Sequence, residues 1–266
     1  MFVTDEVVHA LSYGLVGDGQ TDNTQVFRNL LAGGNKTIHV PPGDYVTDKL
    51  TFSPNTVLVL EPGVTLRDAG RLGKYDRLLN IRTENVHIVG YGARVVSKRA
   101  DYQTDEWRHG IHIFGARRVL IEGLESSSHG GDGFYIGGPA GRPSTDVMLK
   151  GCAASNNRRQ GLSITSGRRI RVVDCEFSAT NGTAPEFGVD LEPNYAEDFI
   201  NDVILLRVRT INNRGGGIMI QLDKLDATSR PADITIAEHL SAREAVVLRT
   251  MVPQTLTATI RYSHAN

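Results

Sequence analysis

Two acidic residues, Asp190 and Glu192, stand two positions apart in the segment FGVDLEP. In an extended strand that spacing sends both side chains to one face, with Cα atoms about 6.5 Å apart. Paired carboxylates are what glycoside hydrolysis requires: one protonates the leaving oxygen and the other serves as base or nucleophile. The separation leaves both stereochemical courses open, since inverting pairs sit roughly 6.5–9.5 Å apart and retaining pairs about 5–5.5 Å. The ordinary alternative is a solvated strand face, with Glu192 held in a turn by Pro193 and Asn194. Asp132 is a third acid. It follows the bend Ser128-His129-Gly130-Gly131, whose glycines allow backbone to approach a ligand. Arg158 and Arg159 carry guanidinium groups that can hold a sugar carboxylate or sulfate, or neutralise an enolate; otherwise they are solvated turn arginines. His109 and His129 are acid/base candidates, and Tyr135, Phe114 and Trp107 can stack on sugar rings.

These residues need elements to position them, and an internal repeat supplies them. A pattern of glycine, apolar, any, apolar, any recurs as GIHIF from Gly110, GFYIG from Gly133, GLSIT from Gly161, GVDLE from Gly188 and GIMIQ from Gly217. The spacings are 23, 28, 27 and 29 residues, which are lengths of β-helix coils with extra residues in the turns. Between these lie alternating apolar segments: VHIVGY from Val86, VLIEGL from Val119, VMLKGC from Val147, IRVVDC from Ile170, VILLRV from Val203 and ITIAEH from Ile234. Period-two alternation means half-buried strand. No single coil can bury its apolar face, so the coils must stack.

Stacking fixes what faces out. One outward column reads His112, Tyr135, Ser163, Asp190 and Met219; another reads Phe114, Gly137, Thr165, Glu192 and Gln221; Gln160 and Asp132 precede their glycines. Asp132 then lies two strand spacings, about 10 Å, from the level of Asp190. The expectation is a site with Asp190, Glu192 and Asp132 as acids and with His112, His129, Tyr135, Arg158, Arg159, Gln160 and Gln221 around the substrate. Asn156, Asn157, Asn181, Asn212 and Asn213 read as a hydrogen-bonded ladder at one corner. Cys152 and Cys175 share a column with Leu124 and Val208 and read as free buried thiols.

The 266 residues form one domain: a cap region at 1–35, stacked coils at 36–249 and a closure at 250–266. Asp22–Leu31 reads as an amphipathic capping helix, with Asp22 or Asn23 as N-cap and Gly33-Gly34 as the stop. A net charge of −1 gives no electrostatic case for nucleic acid or an anionic membrane. Two cysteines are too few for a disulfide scaffold. Neither a secretory leader nor a long apolar span is visible, which leaves cytoplasm, secretion after removal of a leader, or a phage particle open. No His/Cys cluster has zinc spacing, and GDGQTD lacks the distal glutamate of a calcium loop.

The segment from Tyr13 to Tyr45, YGLVGDGQTDNTQVFRNLLAGGNKTIHVPPGDY, resembles the opening of the pectate-lyase-like β-helix superfamily, with Asn23 where a second Asp is usual. The resemblance implies an all-β, single-stranded right-handed parallel β-helix with a short N-terminal capping helix. It also implies a polysaccharide or oligosaccharide as partner, with a monomer or, for a phage protein, a homotrimer. GGDGFYI is similar to a polygalacturonase strand in which Asp132 matches a catalytic-type Asp, but Arg159-Gln160 replaces the paired Asp of the next coil. FGVDLEP is similar to a mannuronan epimerase strand, but Phe187 and Glu192 replace its Tyr and His. The expected activity is hydrolysis of a glycan without a cofactor. The alternatives are a lyase, with calcium, or an epimerase acting on a uronate, and a non-catalytic glycan-binding or tail-fibre β-helix.

Overall fold

A computed structural model describes residues 6–265. The chain winds into a parallel β-solenoid of about nine coils, each contributing up to three short strands. The alternating apolar segments stack as expected. Val86, Val119, Val147, Ile170, Val203, Ile234 and Ile260 occupy one register position in successive coils. All but Ile260 are fully buried, and each such side chain contributes roughly 1.5–3 kcal/mol relative to exposure. The glycine-led strands form a separate eight-stranded sheet. Its inward column, Phe134, Leu162, Val189 and Ile218, is in register and wholly buried. Cys152 and Cys175 are buried free thiols, with the Cys152 amide 3.4 Å from the Cys175 sulfur.

The coil turns through corners that demand a left-handed backbone. At one corner Asn35, Asn55, Asn85, Arg118, Asp146, Arg169 and Asp202 all have φ between 53° and 57°. Asparagine and aspartate tolerate this conformation because their short side chains bond locally. The asparagine ladder lies here: Asn85 donates to Asn55 at 2.6 Å and Asn55 to Asn35 at 2.8 Å. The corner expected to carry it does something else. Asn157 donates to the Ser126 carbonyl and accepts from the His129 amide, while Asn213 accepts from the Thr180 amide and donates to the Phe177 carbonyl. Asn156 donates to the Ser128 hydroxyl and Asn181 to the Ala179 carbonyl. These amides bond backbone and hydroxyl groups, Arg99 and Glu244, rather than each other.

The ends differ from the expected boundaries. The helix covers Thr24–Leu31. The Asp22 carboxylate caps it, accepting from the amide and hydroxyl of Thr24. Phe27, Leu30 and Leu31 are buried, with Phe27 edge-on to Tyr45. Strand Glu6–His9, ahead of the helix, already pairs with Lys36–Val40, so the cap region carries a coil strand of its own. At the other end, strands Leu248–Met251 and Ala258–His264 continue the stacks. The expected boundary at Arg249 therefore falls inside a strand, and coil winding runs to His264.

Asn23 is buried beside the cap. Its Oδ1 accepts from the Val16 amide, and its Nδ2 donates to the carbonyls of Val16 and Thr21. Only an amide can accept one bond and donate two here, which accounts for asparagine at this position. Asn23→Asp is expected to cost about 2–3 kcal/mol, since it buries a charge and strips two carbonyls of their donor. Urea unfolding monitored by circular dichroism should show the lowered midpoint.

Candidate functional site

The eight-stranded sheet presents an outward column in which Thr51, Asn80, His112, Tyr135, Ser163, Asp190, Met219 and Arg249 stack in order. Much of this outward face is nevertheless shielded from water. Asp190 and Asp132 have no exposed surface, and His112, Tyr135 and Ser163 are buried. The rings cover one another: His109 stacks on Tyr135 at 4.7 Å, and His112 lies 5.2 Å from Tyr135 and 5.1 Å from Phe114.

The centre of the site is Arg159. Its guanidinium lies 2.9 Å from Glu106, 3.2 Å from Glu192 and 3.5 Å from Asp132, and it donates to Ser163. Asp190 belongs to the same cluster, accepting at 2.7 Å from the Gln160 amide, whose own oxygen accepts from the Phe187 amide at 2.7 Å. Gln221 donates to Glu192 at 3.3 Å. Four carboxyl groups thus surround one guanidinium. They hold Arg159 above its ordinary range against the opposing effect of burial.

Burial drives the Asp190 carboxyl well above the usual carboxylate range, and the negative charge of nearby Glu192 pushes the same way. Burial also pushes Asp132 up to about 6, with Arg159 opposing. One oxygen on each of Asp132 and Asp190 has no protein partner among the described residues. His109 accepts from the Asp132 amide through Nδ1 and is held well below its ordinary range by burial.

Asp132, Asp190, Glu192, Arg159, Gln160 and Gln221 come together as expected, with Tyr135 beside them, its hydroxyl accepting from Thr165. Three expected residues do not join them. His129 faces the interior, with its nitrogens 2.8 Å from the Ser97 hydroxyl and 3.0 Å from the Ser126 hydroxyl, and burial pushes it down to about 3. The cause is Ser128, whose φ of 61° turns the chain at a corner and sends the next side chain inward. Arg158 points away from the acids and donates to the Asp105 carbonyl. His112 lies two coils from Ser163 and Arg159, at the edge of a separate cavity. Sequence reasoning missed Glu106. Its signal was the long interval from Val86 to Val119, whose extra residues form the segment that covers the sheet. No group of three or more His, Cys, Asp or Glu side chains among the described residues is placed to hold a metal ion. A concavity of about 570 Å³ at Cys152, Cys175, Arg207 and Leu240 contains none of these residues.

This is a parallel β-helix with an acid cluster on one sheet, and the family comparison agrees. The model described as right handed beta helix region matches residues 78–228, and the chain belongs to that family. The uncharacterized protein YclG of Bacillus subtilis (strain 168) is 25% identical over 244 residues, covering 78% of this chain and 41% of that protein. The SPbeta prophage-derived uncharacterized protein YorA of the same strain is 31% identical over 195 residues, covering 60% and 33%. The chain therefore spans well under half the length of these relatives. Among solved structures, the pre-mature bacteriophage phi29 gene product 12 aligns with a TM-score of 0.76 at 18% identity, covering 95% of this chain and 36% of that one. An iota-carrageenase complexed to iota-carrageenan fragments aligns with a TM-score of 0.72 at 13% identity, covering 93% and 57%. At these identities the likeness is one of fold.

The raised Asp132 carboxyl has a consequence for stability. In the unfolded chain it releases its proton near pH 3.8, and in the folded chain near 6. Between these values the folded state binds more protons, so stability falls as pH rises from about 4 to about 6 and levels off above. The contribution is at most about 3 kcal/mol. Asp132→Asn should flatten that slope, as read from urea midpoints between pH 4 and 7.5.

Proposed function

We propose that this chain acts on a carbohydrate and that the cluster around Arg159 is a glycosidase-type acid site. The observation that carries this reading is the pair of outward-column carboxyls, Asp190 and Glu192, the first raised by its burial and by the charge of the second, with Asp132 across the guanidinium. Asp190 is the buried member and Glu192 reaches solvent. Asp190 would donate its proton to the glycosidic oxygen as the C–O bond breaks. Asp132 would take a proton from the water that attacks the anomeric carbon, so the two protons balance. Asp132 and Asp190 sit two coils apart and both lean toward Arg159. Their carboxyls are then separated by somewhat less than about 10 Å, the range of inverting enzymes. A sugar entering would take the place of the guanidinium between the acids, leaving Arg159 on Glu106 at the rim. The fold shared with a carrageenase supports a glycan as substrate. A lyase or epimerase fits less well, because the guanidinium it would need for an enolate is already matched by four carboxyls.

A second reading has its own observation. Arg159 is paired with Asp132, and both Asp132 and Asp190 are without exposed surface, an arrangement suited to a closed structural network. The fold shared with a phage gene product supports a non-catalytic, glycan-binding β-helix in an appendage.

A polysaccharide panel, assayed for reducing ends and for absorbance of unsaturated products, separates the readings. Hydrolysis should give reducing ends with inverted anomeric configuration by proton NMR. Asp190→Asn, Glu192→Gln and Asp132→Asn should each lower turnover on the order of 100-fold to 10,000-fold. The losses at Asp190 and Glu192 should not add, because they act as one unit. No product from any glycan, with a trimer by light scattering, would favour the appendage reading instead.

A further inference from the structure

The same sheet carries a second constellation at its N-terminal end. A cavity of about 300 Å³ is lined by Lys49, Arg77, Asn80, Arg82, His112 and Phe114, with Tyr75 and Asp76 at its edge. Lys49 is paired with Asp76 at 2.6 Å, which leaves the charge of Arg77 and Arg82 unmatched. Arg77 donates one N–H to the Tyr75 carbonyl, but its Nε is buried and has no partner. His112 is 5% exposed, and its Nδ1 is likewise buried without a partner. Arg82 lies over the Phe114 ring at 4.9 Å.

Buried polar atoms without partners are uncommon, and a guanidinium N–H left unmade costs more than a neutral one. Two such atoms on residues that line one cavity, beside the unmatched charge of Arg77 and Arg82, point to what would complete it. The occupant must accept hydrogen bonds, carry negative charge and be small enough for the space. His112 sits three strands from Asp190 in the same outward column, about 14 Å along the sheet.

We infer that this cavity is a subsite for an anionic substituent, a sulfate ester or a carboxylate, on a glycan laid along the sheet. The inference rests on the carbohydrate reading above and sharpens it. The cluster around Arg159 has four acids to one cation and disfavours an anionic sugar there. The cavity favours one. The substrate class is therefore a glycan whose charged residue is offset from a neutral residue at the acids.

The test uses the full chain with ¹⁵N-labelled histidine, titrated separately with sodium sulfate and sodium acetate at constant ionic strength set by chloride. The His112 ring nitrogens should shift saturably with at least one anion and not with glucose. Arg77→Gln and Arg82→Gln should each weaken the apparent affinity about ten-fold or more. Arg82 is exposed, so its variant keeps the test valid if Arg77→Gln fails to fold. Saturation by sulfate alone assigns a sulfate ester, and by acetate alone a carboxylate. A linear response to both anions, or saturation untouched by Arg82→Gln, overturns the subsite. Turnover lost in Asp190→Asn alongside that result would leave the acid site standing; saturable binding with no glycan turned over would do the reverse.

Discussion

Everything in this molecule depends on in-register parallel stacking. Successive coils lie about 4.8 Å apart, so any residue is placed directly over its counterpart one coil earlier. The ladder is indifferent to side-chain chemistry, and each column is free to hold its own kind of residue. The inward column at Phe134, Leu162, Val189 and Ile218 is purely apolar. The outward column one position on collects histidine, tyrosine, serine and aspartate. The corners hold this arrangement in register. Seven residues with φ near 55° at one corner repeat the same turn, so the strands that follow start at the same height.

Charge balance is the constraint that stacking creates. Columns bring Asp132 from one coil together with Asp190 and Glu192 from another, and the segment before His109 adds Glu106. A buried carboxylate must be paired or protonated. Arg159 pairs some of that charge, and burial, by favouring the protonated form of Asp190, removes more. The cluster therefore costs the fold stability in the neutral range, which an apolar column would not. A cost of this kind is common where chemistry is done. A purely structural network gains nothing from it.

The fold was readable because a repeat is a statement about stacking, and the glycine and apolar registers transfer directly to strand pairing. The site was readable as far as strand parity holds. Parity placed Asp190, Glu192 and Gln221 on the outer face. It failed at His129, where the left-handed turn at Ser128 reverses the direction of the next side chain. It could not separate Arg158 from Arg159, since neighbours at a turn diverge by backbone detail. Glu106 comes from a segment outside the repeat and has no register to read. The Asn35, Asn55 and Asn85 ladder lies ahead of the first glycine-led strand, where no frame existed to align it. Arg77 and Arg82 escaped notice for the same reason.

Gln160 shows how the site's departure from a polygalacturonase-like pattern acts physically. An acid at this position would add a fifth carboxyl to the cluster, beside Asp190. The amide does the opposite. Its oxygen is occupied by the Phe187 N–H, so its NH2 group is obliged to face Asp190 and donates to Oδ2. A carboxyl that accepts at Oδ2 carries its proton on Oδ1, the oxygen with no other protein partner. The backbone of one coil thus fixes the amide of the coil before it. That amide in turn fixes which oxygen of Asp190 is the acid, and leaves Oδ1 as the atom that carries the proton.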